Sequence, residues 1–232
     1  MNSPYLYPVH ERFYSWQGEG VHAGRAAFFI RLYGCPVKCP WCDSAGTWHP
    51  NYVPKDVLRL SADQLAEEAE KSGAPMIVIT GGEPTIHDMT ELCDALHAIP
   101  SRPTIHLETM GGFPIKGAFD WITLSPKWNR LPLESSFLRA SEIKVIVEGA
   151  TSLWEWFAYL LPHVKEGHVV WLHPEWSKRN SPEVLRAITE AVKAKPRLFR
   201  AGYQMHKLFQ ADSADSRSAP LVPLGGNPTL GM

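Results

Sequence analysis

The segment GCPVKCPWC (34–42) sets Cys35, Cys39 and Cys42 in a CxxxCxxC spacing with no fourth cysteine nearby. A structural zinc site takes four protein ligands and a redox pair takes two thiols, so three is the wrong number for both. A cubane iron–sulfur cluster takes thiolates, usually one for each iron. Three cysteines would leave one iron free to bind a small molecule through nitrogen and oxygen donors. The tight spacing lets a loop curl round such a cluster with backbone amides turned toward its sulfurs, and Pro36 and Pro40 stiffen that loop. Two other readings stand beside it. A zinc knuckle completed by a remote His49 would staple a domain large enough not to need one. A CPWC (39–42) redox pair would leave Cys35 idle, and no helical pattern begins at Cys39. Cys93 sits on the core face of a helical pattern and reads as a small buried hydrophobe.

Other residues capable of chemistry share one position, just past the C-terminal ends of predicted strands. They are GGEP (81–84), Glu108 and Thr109, Ser125 to Lys127, and Gln204. In parallel α/β barrels that rim is where a site is assembled from several strands. The strands themselves are short runs rich in β-branched and aromatic residues: 26–34, 76–81, 104–109, 121–125, 142–147, 168–173 and 198–204. Helices fall between them. Ser61 with Gln64 forms a capping box and Gly73 follows that helix's end. Asp88 with Glu91 opens a second helix, Thr151 precedes an aromatic-rich one running to about Leu161, and Ser181 with Pro182 starts the last. This alternation implies a mostly parallel sheet. Seven strands and the irregular GGFPIKGAFD (111–120) predict an α/β fold of the open, partial barrel kind with some helices trimmed away. One domain is expected over 1–210, followed by an irregular tail over 211–232.

The 232 residues suffice for one α/β domain. With 44% hydrophobic and 20% charged residues, a net charge of −1 and scattered Lys and Arg, nothing suggests a grip on nucleic acid. No apolar run reaches the length of a membrane span and MNSPYLYPVHERFY lacks the features of a signal peptide, so the expected compartment is the cytoplasm, where thiols stay reduced.

The cysteine loop after the first strand and ITGGEP (79–84) after the second resemble the radical S-adenosylmethionine superfamily. FYSWQGEG (13–20), FFIRLYGC (28–35), CDSAGTW (42–48), LSPK (124–127) and QMHK (204–207) narrow the resemblance to the 7-carboxy-7-deazaguanine synthase family, over about Tyr14 to Leu208. It implies a [4Fe–4S] cluster on Cys35, Cys39 and Cys42 whose free iron takes S-adenosylmethionine. One electron then releases a 5′-deoxyadenosyl radical. It also implies ring contraction of 6-carboxy-5,6,7,8-tetrahydropterin to 7-carboxy-7-deazaguanine with loss of ammonia, as in queuosine biosynthesis, together with Mg²⁺, a flavodoxin- or ferredoxin-like electron donor and a homodimer.

The resemblance assigns residues as well. Trp41, Cys42, Asp43, Gly82, Ser125, Pro126 and Lys127 map to S-adenosylmethionine; Trp16, Gln17, Gly18, Arg31 and Thr80 map to the pterin; Ser44 maps to Mg²⁺. Arg31 lies inside an apolar strand, where a charge needs a partner, either a core carboxylate or, bidentately, the substrate's own. Ser44 by itself is also compatible with a turn. The amide of Gln17 offers both a donor and an acceptor to a guanine-like edge. Glu19 and Glu108 stay open between a pocket contact and a turn, and His173 stands where family members often carry a Gln-Pro. A radical enzyme acting on a glycine of a partner protein would share the cluster loop without needing Arg31, Ser44 and QGEG; a zinc or thiol binding module would lack iron and sulfide.

Overall fold

The computed structural model describes residues 5–218. Within them nine strands form one sheet in the order β3-β1-β2-β4-β5-β6-β7-β8-β9. From β2 (Ala26–Leu32) onward every neighbouring pair is parallel: β4 (Met76–Gly81), β5 (Thr104–Thr109), β6 (Trp121–Leu124), β7 (Glu142–Val147), β8 (Val170–Pro174) and β9 (Phe199–Ala201). Antiparallel β1 (Tyr7–Trp16) and the two-residue β3 (Arg59–Leu60) extend the open edge. The expected partial parallel barrel is therefore present, with β1 and β3 as additions to the predicted strands.

Period-two alternation gives the sheet two unlike faces. Ile77, Ile79, Ile105, Leu107 and Ile122 pack with Leu65 and Ala69 of α1 (Ala62–Ser72) and with Leu92, Cys93 and Leu96 of α2 (Thr90–His97). Farther along, Ile143, Val145, Val170 and Leu172 pack with Phe137 of α3 (Glu134–Arg139), Leu153 and Trp156 of α4 (Ala150–Leu160), and Val184 and Ile188 of α5 (Pro182–Ala194). The intervening residues, among them Thr80, Glu108 and Lys144, face a cavity on the other side.

Helix starts follow local chemistry. Ser61 and Gln64 form the reciprocal capping box and Gly73 closes α1 at φ 65. Ser181 caps α5 with Pro182 in its first turn. The second helix begins later than Asp88 suggests. That carboxylate accepts bonds from the N–H and hydroxyl of Thr90, so it shapes the turn before α2 instead of capping it. Of the expected tail, residues 211–214 form a 3-10 turn, and Asp215 accepts a bond from the Tyr14 N–H on β1 at 2.9 Å. Residues 219–232 lie outside the described residues.

The polar inner face is covered by the chain itself. Between β1 and β2 the loop 17–25 closes on itself, through Gln17 N–H to Arg25 O and Gly24 N–H to Gln17 O, and crosses to β6 and β7. The His22 ring packs edge-on against Trp121 and His106, each centroid 4.5 Å away. Buried Glu142 accepts from Val21 N–H, Thr123 Oγ1, Trp121 Nε1 and Trp171 Nε1 at 2.8–3.2 Å. Removing that acceptor strands buried donors, each costing about 1–3 kcal/mol. Glu142→Ala is expected to destabilise the domain by about 3–5 kcal/mol, a fall of roughly 6–20 °C in Tm. Thermal unfolding checks it.

Candidate active site

A cavity of about 240 Å³ opens at the C-terminal ends of the parallel strands. It gathers Cys35, Cys39 and Cys42 with Trp16, Gln17, Gly18, Arg31, Trp41, Asp43, Ser44, Thr80, Gly82, Ser125 and Lys127. Among the residues expected to contact a ligand, Pro126 lies elsewhere: it lines a smaller neighbouring pocket with Trp128 and Trp156. His49 is also outside, packed against the rings of Trp48 and Tyr52.

The cysteine loop is held by backbone. Gly34 N–H donates to Thr47 O, and Gly82 N–H and Glu83 N–H donate to Leu32 O and Gly34 O at 3.0 and 2.7 Å. A Cβ on Gly82 would lie 2.2 Å from Gly34 O, and one on Gly81 would lie 2.4 Å from Leu32 O. The space that these glycines leave is thus filled by the strand end leading into the cysteines, so packing as well as any ligand contact of Gly82 requires GG here. Glu83 completes the joint. Its buried carboxylate accepts from Thr85 N–H and Oγ1, Thr109 Oγ1 and Met110 N–H, tying the end of β4 to the end of β5.

Each thiol meets donors. Val37 and Lys38 amides reach the Cys35 sulfur, with Lys38 at φ 53. The Ser44 amide and Trp48 Nε1 reach Cys42, the latter at 3.3 Å. Burial pushes all three thiols up, Cys42 to about 12, with Asp43 adding to its rise. A ligand that binds thiolates must therefore displace protons here. Among the described residues no three His, Cys, Asp or Glu side chains are arranged to hold a single metal ion. A cubane asks for a different arrangement, one thiolate to each of three irons, and the amide-lined loop suits it.

Arg31 bridges two neighbours. Its Nε donates to buried Glu11 on β1 at 2.5 Å and its Nη1 donates to Ser44 Oγ at 2.9 Å. The core-carboxylate partner is thus present, while the side chain still lines the cavity. Both ends of the Gln17 amide are engaged, Nε2 with Glu108 at 2.8 Å and Oε1 with Glu19 N–H at 3.2 Å. Lys127 Nζ is tied to Ser125 O and Oγ at 2.7 Å, near the Trp41 ring. Asp43 accepts from Lys207 Nζ at 2.7 Å and Gln204 Nε2 at 3.0 Å. Burial works against its ionisation, but Lys207, Gln204 and His206 outweigh burial and hold it well below the carboxylate range. The QMHK segment is thereby a clasp: α6 (Met205–Phe209) also donates Met205 N–H to Gly18 O.

Two residues that the sequence left open meet one that it missed. Lys144 on β7 bonds both Glu19 and Glu108. A lysine inside the apolar run EIKVIV carries the same signal as Arg31 in its strand. His173 is fully buried behind Glu19, its Nδ1 3.8 Å from Glu19 Oε1. It is Pro174, Glu175 and Trp176, from the same HPEW stretch, that line the cavity.

The comparisons with known proteins agree with this architecture. A family profile described as the Radical SAM superfamily matches residues 29–127. The 7-carboxy-7-deazaguanine synthase of Synechocystis sp. is 42% identical over 73% of this chain and 78% of its own length. That of Flavobacterium psychrophilum is 38% identical over 87% of this chain and 91% of its own. This chain belongs to the 7-carboxy-7-deazaguanine synthase family. The crystal structure of QueE from Escherichia coli superposes with a TM-score of 0.72 at 29% identity, covering 84% of this chain and 93% of that one. Membership makes the chain a radical S-adenosylmethionine enzyme and assigns it a [4Fe–4S] cluster and S-adenosylmethionine. No helix among the described residues is long and apolar enough to cross a membrane.

Two measurements probe this site. Gly82→Ala should lose most of its iron and sulfide after anaerobic reconstitution, whereas Gly149→Ala, whose Cβ would meet nothing within 4 Å, keeps both. The second concerns Glu19. Burial raises its pKa, but Lys144, with His173 and His206, reverses this and brings it from 4.5 to about 2. Below pH 4.5 the unfolded chain takes up a proton that the folded one refuses, so stability falls as pH drops toward 2. Denaturation across that window should show Glu19→Gln with a shallower slope, by up to roughly 1.4 kcal/mol per pH unit.

Proposed function

We propose that this chain is a 7-carboxy-7-deazaguanine synthase, converting 6-carboxy-5,6,7,8-tetrahydropterin to 7-carboxy-7-deazaguanine and ammonia. The balance is simple: the pterin loses NH₃ and nothing else, so the net reaction needs no oxidant. The observation that carries the reading is the meeting, in one cavity, of the three cysteines with Arg31, Ser44 and the Gln17–Glu19 segment. When bound, the cluster and S-adenosylmethionine supply the radical that abstracts a substrate hydrogen.

The chain's own residues then have distinct tasks. Arg31, fixed by Glu11 and Ser44, offers a guanidinium to the pterin carboxylate. Trp16, Gln17, Gly18 and Thr80 form the pterin wall, and the loop 17–25 that carries Gln17 and Gly18 keeps bulk water from the inner face of the sheet. Gly82, Trp41, Asp43, Ser125 and Lys127 serve S-adenosylmethionine, with Pro126 shaping the turn between the last two. Lys127, pinned by Ser125, sits near the thiol sulfurs, where burial works against its charge and the sulfurs of Cys39 and Cys42 favour it. Mg²⁺, which keeps oxygen ligands and waters, finds Ser44 Oγ at the wall. That oxygen accepts one bond from Arg31 and keeps a second lone pair, which a dication held there would take.

The reading extends to a cytoplasmic location, expected from the sequence, to a homodimer, implied by the family resemblance, and to an organisation of 1–210 as the domain with 211–232 appended. It includes a flavodoxin- or ferredoxin-like electron donor. In support, Pro36, Lys38 and Pro40 of the cysteine loop are exposed, so a one-electron donor can approach the thiols from outside.

Anaerobic turnover of reconstituted protein with the carboxylated pterin, S-adenosylmethionine and a reductant tests the proposal. Ammonia and the deazaguanine should form in equal amounts, with many turnovers per S-adenosylmethionine. Consumption of S-adenosylmethionine with the pterin intact would overturn it. Arg31→Ala should lower kcat/KM for the pterin by about 10²-fold or more, the scale of one charge-assisted bidentate contact. Its cleavage of S-adenosylmethionine without pterin should persist.

A further inference from the structure

Strand β1 changes face at His10. Between the pairs Val9–Leu32 and Glu11–Arg31 it carries one residue more than β2, a bulge that leaves His10 unmatched. The His10 ring packs edge-on against Tyr33, 4.9 Å between centroids. Before the bulge, Tyr7 and Val9 belong to the core on the helix side. After it, Glu11 stands opposite Arg31, and Phe13 stacks on Phe29 at the cavity. In a regular strand residues 7, 9, 11 and 13 would share one face. The extra residue re-aims the strand, as bulges beside sites do, and turns toward Arg31 a carboxylate that would otherwise face the helices.

An acid in that place does not serve affinity. Glu11 is buried behind Arg31 and does not line the cavity. By Coulomb's law its charge weakens the hold on an anionic ligand, because two anions then draw on one cation. What it supplies is direction. The guanidinium is a flat fork, and bonds on two different nitrogens set both its place and its tilt: Nε to Glu11 Oε1 at 2.5 Å and Nη1 to Ser44 Oγ at 2.9 Å. Ser44 is oriented in turn, since its hydroxyl donates to Asp43 Oδ1 at 3.3 Å. A purely structural ion pair inside a strand would need the charge of Glu11. Direction needs only an acceptor oxygen at that point, so the two roles are separable.

We propose that Glu11, aimed by the bulge at His10, is a positioning residue that sets the plane of Arg31 and so makes the site selective for where on the ring a ligand carries its carboxylate. A guanidinium held in one plane pairs bidentately along one line; one that swings follows the carboxylate to a neighbouring ring position. The inference rests on the pterin reading above and deepens it, giving a positional specificity to a residue that does not line the cavity.

The test titrates reconstituted holoenzyme, with S-adenosylmethionine, against three fluorescent probes: 6-carboxypterin, 7-carboxypterin and pterin lacking a carboxylate. Native protein should prefer the 6-isomer over the 7-isomer by about 30-fold or more, the scale of a lost hydrogen bond to a charged group. Two uncharged variants of similar length isolate the oxygen. Glu11→Gln keeps an acceptor for Arg31 Nε and should stay within about threefold of the native preference. Glu11→Met offers only a weakly accepting sulfur and should bring the preference below about threefold. In both, Kd for unsubstituted pterin and for S-adenosylmethionine should stay within about twofold of native. In an Arg31→Ala background, Glu11→Met should add less than about a twofold loss. Should the Met variant fail to fold, Glu11→Ala takes its place with the same expected outcome. A Met variant that keeps the preference would overturn the inference, leaving Glu11 a counter-charge. So would a Gln variant that loses as much as Met, or native protein that turns over the pterin yet binds both isomers alike. Native protein that binds the 6-isomer no better than unsubstituted pterin, and turns over no carboxylated pterin, would overturn the pterin reading instead.

Discussion

Two missing side chains let the end of β4 lie on the backbone of the cysteine loop, and the site depends on that approach. With a Cβ at Gly82 only 2.2 Å from Gly34 O, no other residue fits without parting the two segments. What the contact permits is a pair of backbone hydrogen bonds, from Gly82 and Glu83 to Leu32 and Gly34, which fix where Cys35 leaves its strand. Glu83 carries the constraint onward, since the same carboxylate holds Thr109 and Met110. The thiols, the β4 rim and the β5 rim are thus one rigid unit. A loop tethered at its ends alone would not hold three thiols in the arrangement a cubane needs.

The second constraint is electrostatic. An open sheet with a polar inner face would normally hydrate it, but the loop 17–25 occupies that face and removes the water. Buried polar groups must then find partners within the protein. Glu142 does so with four donors, and Glu19 and Glu108 do so through Lys144. The lower lumen is therefore prefilled and oriented, leaving the cavity only at the strand ends. The dipoles and charges around a ligand are set before it arrives, which is what electrostatic preorganisation requires.

What was legible in the sequence follows from which signals are local. The cysteine spacing, the β-branched runs and the Ser61–Gln64 capping box are short-range patterns, and β4, β5 and β7 match their predicted spans. Strand β1 was not legible: YPVHERFYSW interleaves Pro, Glu and Arg with its apolar residues, and its regularity comes from antiparallel pairing across a long loop. With β1 unseen, Glu11 had no visible place opposite Arg31. Gln17 was recognisable as a site residue, but its engagement with Glu108 depends on contacts 91 positions apart. Lys144 could have been suspected, because a charge within an apolar strand demands a partner; which partners it takes is a matter of how the loop folds over the sheet.

The last helix shows why the site cannot be completed early in the chain. Lys207 neutralises Asp43, beside the third cysteine, across 164 positions, and Met205 N–H bonds Gly18 O in the loop that fills the lumen. Beyond it, Asp215 takes the Tyr14 N–H on the outer side of β1. Each of these joins residues 164 to 201 positions apart, so forming it closes a loop of most of the chain at a cost in closure entropy. Until they form, Asp43 would stand as an unpaired carboxylate next to Cys42 and oppose its ionisation, an effect visible even in the folded chain. The clasp by α6 therefore couples completion of the fold to the readiness of the thiols, so that the cysteine loop gains its final electrostatic setting only once the barrel around it exists.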